Sequence, residues 1–162
     1  MSLARTLAEA FTHRSTAVSL LLPSSADLRC NNLMCEHVTA GCACRLALSL
    51  ERMPLLEVVD VRSNGLPVLP DSLFALPRLH TLRAAGNALR ALPPSLAACA
   101  SLTHLDLGSN RLQSLPMEAL AALPLLSRLR ITGNPLTAQA TAALRGHSSL
   151  WKAVEAGEAW VE

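Results

Sequence analysis

The stretch SLTHLDLGSNRLQSLP, residues 101–116, decides how this chain folds. Its apolar residues stand at fixed offsets from one asparagine, in the order Leu102-x-x-Leu105-x-Leu107-x-x-Asn110-x-Leu112. The same pattern surrounds Asn64, Asn87 and Asn134, and the intervals along the chain are 23, 23 and 24 residues. A pattern that recurs with a period of about 20 to 29 residues predicts a solenoid, because a single repeat cannot bury its apolar face alone.

Each repeat is expected to contribute one strand, one turn and one return segment. Alternate side chains of a strand point in opposite directions, so Leu105 and Leu107 face inward and the residue between them faces outward. The asparagine amide can donate to turn carbonyls that would otherwise be buried without partners. A proline then begins the return segment, because it restricts φ. The leucines expected to bring this segment back to the core are Leu73, Leu76, Leu96, Leu120 and Leu123.

These repeats resemble those of leucine-rich-repeat proteins, in particular the 23-residue class with LxxLPxxL returns that occurs in intracellular scaffold and adaptor proteins. The resemblance covers residues 55–136. It implies an α/β solenoid of about five repeats, with a short parallel sheet on the concave face and helical caps at both ends. It also implies a protein that binds other proteins and is not an enzyme.

The resemblance weakens before residue 55. Ala26-x-Leu28-x-x-Asn31-x-Leu33 fits a first repeat, with Asn32 as an equally possible turn residue. The next asparagine of the pattern is 33 residues beyond Asn31, which predicts a true helix over residues 36–53, ended by Pro54. This longer unit resembles the helix-containing repeats of the ribonuclease-inhibitor class. The predicted division is therefore a cap or docking segment over 1–24, repeats over 25–136 and a cap over 137–162.

The two ends of the chain are the other candidates for contacts with partners. Leu3, Leu7 and Phe11 are expected on one face of an N-terminal helix, which would cover the open end of the array, dock on a partner or act as a mitochondrial targeting signal. At the other end, helices are expected over 137–145 and 148–161. Trp151 and Val154 would face the last repeat, whereas Trp160 points half a turn away and is free to bind a partner.

Composition excludes several classes of function. The longest apolar runs are five residues, at 96–100 and 119–123, far below the ~18 residues of a membrane span. The net charge of +2 is spread along the chain and only four aromatic residues are present, so nothing favours nucleic-acid binding. Five cysteines, an odd number, favour reduced thiols and an intracellular, cytoplasmic or ciliary location, with a mitochondrial one as the alternative.

The cysteines also raise the question of a metal site. Cys30, Cys35, Cys42 and Cys44 lie close in sequence to His37. However, Cys42 and Cys44 would point about 200° apart on a helix, so their thiols do not converge as zinc requires. We therefore interpret them as small buried residues. No metal, cofactor or catalytic group is predicted.

The concave face offers the residue-level hypothesis about binding. Its outward positions include a central column in which acidic and basic residues alternate: Asp27, Asp60, Arg83, Asp106 and Arg130. Either these charges pair across strands on a solvated face, or the arginines bind carboxylates of a partner. The candidate residues are Asp60, Arg62, Arg83, His104, Asp106, Arg128 and Arg130.

Two functions are compatible with these observations. The first is a non-enzymatic scaffold or adaptor that binds other proteins within a larger, heteromeric assembly. The second is a constitutive structural subunit of a ciliary or mitochondrial complex, which would use its ends and its convex face.

Overall fold

The computed structural model describes residues 2–12, 16–28 and 43–158. Its strands are β1 (Ser2–Ala4), β2 (Ala17–Leu21), β3 (Val58–Asp60), β4 (Thr81–Arg83), β5 (His104–Asp106) and β6 (Arg128–Arg130). Its α-helices are α1 (Leu7–Thr12), α2 (Ala43–Leu50), α3 (Asp71–Phe74), α4 (Met117–Ala121), α5 (Ala138–Gly146) and α6 (Ser148–Glu158). Short 3-10 helices occupy Ala26–Leu28 and Pro94–Ala98.

The strands form one parallel sheet in chain order, β1 to β6. Neighbouring repeats are in register, so that Val59, Leu82, Leu105 and Leu129 lie side by side. All four of these side chains are buried. The predicted α/β solenoid is confirmed, and it follows from the alternation of apolar and polar residues in each short strand.

The return segments lie where the prolines predict them. Pro70, Pro93 and Pro116 each precede a helical turn, with φ between −72° and −76°. The turns bring back to the core the predicted leucines Leu73, Leu76, Leu96, Leu120 and Leu123, all of which are buried.

The asparagines form the predicted ladder between repeats. Asn110 Nδ2 donates to Ala84 O at 3.0 Å in the preceding repeat and to Leu107 O at 2.9 Å in its own. Its Oδ1 accepts from Leu89 N at 3.2 Å. Asn87 and Asn134 repeat this arrangement with the equivalent carbonyls. Each amide therefore satisfies backbone groups of two adjacent turns, which is why asparagine recurs at this position.

The residue before each ladder position has a left-handed backbone. The φ angles are 51° at Ser24, 56° at Ser63, 68° at Gly86, 51° at Ser109 and 75° at Gly133. From Ser63 to Gly133, serine and glycine alternate in this column for a steric reason. A Cβ on Gly86 would lie 2.9 Å from Ser63 Oγ, closer than side chains tolerate. The hydroxymethyl groups of Ser63 and Ser109 thus occupy the space that Gly86 and Gly133 leave open.

The expected first repeat is wrong in register. The strand before β3 is β2, and the segment Ala26–Leu28 is a 3-10 helix. Leu20 lies beside Val59, and Ser25 takes the ladder position, where its N–H donates to Asn64 Oδ1 at 2.8 Å. The repeat escapes the pattern because a serine replaces the asparagine. Asn31 and Asn32 lie outside the described residues.

The N-terminal segment also differs from the expected single amphipathic helix. β1 precedes the short helix α1, and β2 follows it, so two strands of the sheet come from residues 1–24. Leu3 lies on a strand, and Leu7 is buried, with its N–H donating to Asp27 Oδ2 at 2.8 Å. The spacing of Leu3 and Leu7 fits one helical face, but sheet pairing with β2 determines the conformation here.

The C-terminal helices agree with their predicted positions. Thr137 caps α5 by accepting from Ala140 N at 3.2 Å, and α6 packs against β6. Val154 is buried and Trp151 is partly buried against the core, as expected. Arg145 lies 5.3 Å from the ring centroid of Trp151, within range of a cation–π contact. Trp160 lies outside the described residues, and the division into 1–24, 25–136 and 137–162 stays a prediction.

The predicted helix over 36–53 is described only in part. Its described portion is helical over Ala43–Leu50, and Leu46 and Leu50 pack in the core. Cys44 lies in this helix with an exposed side chain. Cys30, Cys35, Cys42 and His37 lie outside the described residues.

Candidate protein-binding face

The concave face consists of two columns of side chains that cross the sheet. The register places the first column along Leu3, Ser19, Val58, Thr81, His104 and Arg128. It places the second along Leu21, Asp60, Arg83, Asp106 and Arg130. The predicted candidates from Asp60 to Arg130 therefore come together on one face. Asp27 does not belong to the central column, because its position there is taken by Leu21.

Asp60 is buried, which corrects the expectation of a solvated strip at this position. Its side chain is 3% exposed and lies beneath two arginines. Arg62 Nε donates to both carboxylate oxygens at 3.1 Å, and Arg83 Nη1 lies 3.9 Å from Oδ2. The hydrogen bond to Asp60 raises the pKa of Arg62, so this guanidinium stays charged. A buried carboxylate with these partners is a structural element of the face.

Asp106 is buried as well, and here too the expected exposure is wrong. Its Oδ1 accepts from Gly108 N at 3.0 Å. A Cβ at position 108 would lie 3.3 Å from Asp106 Oδ1 and 3.7 Å from Arg130 Nε. Glycine therefore lets the carboxylate and the guanidinium converge above the backbone of β5. Arg130 is half-buried over this point, whereas Arg128 is exposed.

His104 lies in the first column between Thr81 and Arg128. Its Nδ1 is 2.7 Å from Thr103 Oγ1. Burial lowers the pKa of His104, and the nearby charges of Arg128, His80 and Arg83 lower it further. Near neutral pH this imidazole is therefore uncharged, and the positive charge of the face comes from arginines.

A depression of about 360 Å³ opens at the carboxyl ends of the strands. Arg62 and Arg130 lie on its walls, together with the hydroxyls of Ser63 and Ser109. The depression forms because the residues of the left-handed column have small side chains or none and Gly108 has none. The sequence pattern of leucines did not indicate this site. The small residue before each ladder asparagine is the signal that could have located it.

The face is basic as a whole. It carries four arginines (Arg62, Arg83, Arg128 and Arg130) against two aspartates, both of which are buried. Burial of the carboxylates beneath the guanidinium groups leaves the positive groups nearest to a ligand. Such a surface favours anionic groups, and planar guanidinium groups bind carboxylates with two parallel hydrogen bonds.

Its other end, at β1 to β3, is apolar. Leu3 is 44% exposed, and Leu21 and Val58 are partly exposed on the same face. These residues were not predicted as part of the concave face, because the strands β1 and β2 were not recognised. The position of Leu3 on a strand replaces its expected position on a docking helix.

The hypothesis that the two ends of the chain bind partners is changed at Leu7 and stays a prediction at Phe11 and Trp160. Leu7 is 5% exposed and belongs to the core, so it is not available to a partner. The side chain of Phe11 and the whole of Trp160 lie outside what the structure describes, so their roles stay predictions.

Within the described ranges, no cluster of three potential metal ligands occurs. The described helices are also too short or too polar to cross a membrane.

Comparisons with known proteins agree with this architecture. Residues 77–136 match the family model of the leucine-rich repeat. A leucine-rich-repeat protein of Leptospira interrogans has a similar structure, with a TM-score of 0.59 and 28% identity over 66% of this chain. The BIR2 ectodomain of Arabidopsis thaliana is 28% identical over 56% of this chain, with a TM-score of 0.47.

The chain spans 26% of the Leptospira protein and 62% of the BIR2 ectodomain. No curated protein matches its sequence. The match covers β4, β5 and β6 with their three ladder asparagines, and the sheet extends the same architecture on the N-terminal side through β1, β2 and β3. The repeat pattern, the parallel sheet, the family match over residues 77–136 and the similarity to the Leptospira protein support a leucine-rich-repeat protein.

Proposed function

We propose that this protein is a non-enzymatic scaffold or adaptor whose basic concave face binds an acidic segment of another protein. Leucine-rich repeats typically mediate protein–protein interaction, and their function depends on the surface that a given array presents. The observation that carries the proposal is the arrangement of Arg128 and Arg130 above a face whose carboxylates are buried. The partner would be a different protein, which makes the assembly heteromeric.

The rigidity of the face supports this role. The ladder asparagines hold adjacent repeats together and Asp106 fixes Gly108, so the backbone that carries the arginines does not have to be ordered on binding. A preorganised surface loses less conformational entropy when a ligand binds. Charge complementarity would also accelerate association with an acidic partner.

Affinity purification from cells that express the full chain tests the proposal. The test variant combines Arg128→Glu, which reverses an exposed charge, with Arg130→Gln, which removes a charge without placing a new carboxylate beside Asp106. We expect the variant to lose the partners that the wild-type protein captures, while its melting temperature changes little. Arg78→Glu, an exposed charge reversal outside the two concave columns, is the control. Equal capture by the double variant and wild type would contradict the concave site.

Exposed apolar residues outside the concave columns favour the second candidate, a constitutive structural subunit. Leu48 on α2 is 64% exposed, Val68 is 52% exposed and Leu125 is 56% exposed. Single exposed apolar residues are common, but in a subunit of a large complex they would pack against neighbours. In that case Leu48→Ser and Leu125→Ser would release the protein from its complex, and the concave variant would not.

An intracellular location, cytoplasmic or ciliary, is part of the proposal, with the mitochondrion as the alternative. Cys99 supports it as a buried thiol without a disulfide partner. Burial raises the pKa of Cys99 to about 11, so the thiol is protonated and unreactive. Fluorescence imaging of a tagged chain distinguishes the two locations.

A further inference from the structure

The concave face is apolar at one end of the stack and basic at the other, and this difference supports an inference about the partner. We propose that the face binds an extended segment with an apolar residue over β1 to β3 and carboxylate side chains over β5 and β6. The inference rests on the proposed function, because it assumes that the concave face is the binding surface. It adds the composition, the length and the orientation of the segment.

The apolar end is formed by three residues on adjacent strands. Leu3, Leu21 and Val58 lie on the concave side of β1, β2 and β3, where the polar side chains of the two columns are Ser19 and the buried Asp60. Leu3 exposes 44% of its surface, more than an interior contact would leave. An aliphatic side chain placed here would bury apolar surface on both partners, at roughly 25 cal/mol per Å².

The basic end provides hydrogen-bond donors for carboxylates. The side chain of Arg130 makes no hydrogen bond or ion pair within the part of the chain that the structure describes, and Arg128 is exposed. Ser63 and Ser109 contribute hydroxyls to the depression beside Arg130. A carboxylate that enters the depression therefore meets a guanidinium group and hydroxyl donors. Asp106 also lines the depression, and the guanidinium groups of Arg62 and Arg130 on its walls offset the charge of this carboxylate.

The geometry of the sheet sets the length of the segment. Adjacent strands lie about 4.8 Å apart, so β1 and β6 are separated by about 24 Å. An extended chain covers this distance with about seven residues, at roughly 3.4 Å each. The distance from Leu21 on β2 to the middle of the depression corresponds to about four residues. Each strand shows only about 10 Å of its length, which is the width that one extended chain needs.

Selection from a displayed library of random 12-residue peptides, fused at their carboxyl ends, tests the proposal with the full chain as bait. We expect enriched peptides to carry an aliphatic residue followed or preceded by two or more aspartates or glutamates, four to seven positions away. The enriched peptides are then synthesised with acetylated and amidated ends, and their affinities are measured by fluorescence anisotropy.

Two variants separate the two ends of the site. Arg128→Glu with Arg130→Gln should weaken binding at least tenfold, and Leu3→Ser should weaken it several-fold. Leu3→Ser should have no effect on a peptide whose aliphatic residue is replaced by serine, because the contact is then already absent. Leu21→Thr is the second variant if Leu3→Ser perturbs folding. Arg78→Glu and Leu125→Ser are the matched controls, and circular dichroism verifies that each variant is folded.

The outcomes distinguish this inference from the proposed function. Peptides that depend on Arg128 and Arg130 but not on Leu3, Leu21 or an aliphatic residue would leave the concave site in place and overturn the inference about its apolar end. Peptides that bind all variants equally would place binding off the concave face and overturn both. Enrichment of basic peptides, or no enrichment, would also overturn the inference.

Discussion

At the scale of the residue, the stability of the fold depends clearly on Asn110. Its side chain makes contacts with backbone groups of two repeats, and it is 6% exposed. Replacing it with alanine leaves buried carbonyls and an N–H without partners. We expect Asn110→Ala to lower the free energy of unfolding by about 1–3 kcal/mol in urea denaturation. Gln113→Ala, at an exposed position, should change it little, and equal curves for both variants would contradict the ladder.

Gly86 tests the steric account of the left-handed column. Alanine there has an unfavourable φ of 68° and a Cβ 2.9 Å from Ser63 Oγ. We expect Gly86→Ala to destabilise the protein by about 1–2 kcal/mol. Adding Ser63→Gly should restore part of the loss, because it removes the hydroxymethyl group. Gly146→Ala, where nothing lies within 4 Å of the added Cβ, is the control and should show no such loss.

His104 makes a pH-dependent contribution to stability. Its pKa is lowered from 6.5 in the folded protein, mainly by burial, so the unfolded chain binds a proton more readily. Stability is therefore lost as the pH falls from about 6.5 through the lowered folded pKa, and it is not reduced above this range. We expect His104→Gln to lose less stability than wild type between pH 7.5 and 5.5. Urea denaturation at both values measures this, with His147→Gln as the control. Parallel losses in His104→Gln and wild type would contradict it.

At the scale of the element, α6 covers the last repeat. Leu150, Ala153 and Val154 lie on its buried face and close the core at the end of the sheet. We expect Leu150→Ala to lower the free energy of unfolding by about 2–5 kcal/mol, because it leaves a cavity beside β6. Lys152→Ala, on the exposed side of the same helix, should not. If both variants unfold alike, α6 does not contribute to the core as the structure indicates.

The elements also show how far the sequence predicts this fold. The four repeats that carry asparagine were predicted in the correct register, because each has leucines on both sides of a ladder residue. β1 and β2 were missed for two reasons. Ser25 replaces the asparagine, and the spacing of Leu3 and Leu7 fits a helix as well as a strand followed by a turn. Local periodicity cannot distinguish a helix from a strand followed by a turn, since pairing with a distant strand decides between the two conformations.

The candidate face was predicted in part for a related reason. Alternation along a strand correctly indicates that Asp60, Arg83 and Asp106 lie on the concave side. It does not indicate burial, which depends on whether long side chains fold over a short one. Arg62 and Arg83 cover Asp60 in this way, and that arrangement is a property of neighbouring repeats rather than of one strand.

At the scale of the whole molecule, each repeat contacts mainly its neighbours, so stability approximates a sum of repeat and interface contributions. A defect in a middle repeat therefore weakens its interfaces with the repeats on both sides. Leu107 is fully buried in the repeat of β5. We expect Leu107→Ala to cost about 2–5 kcal/mol and to abolish protection of most amides in hydrogen exchange. Protection that persists on both sides of β5 would contradict this coupling.

The direction of the ladder has a consequence for mechanical load. Hydrogen bonds between repeats point along the stack, so a force applied to the two ends of the chain loads them one interface after another. Repeats would then detach from the stack one at a time. Each detachment of a 23-residue repeat would lengthen the chain by about 80 Å at full extension. A protein of this kind yields gradually under tension, and the interface between β1 and β2, where Ser25 stands at the ladder position, is the expected place for the first release.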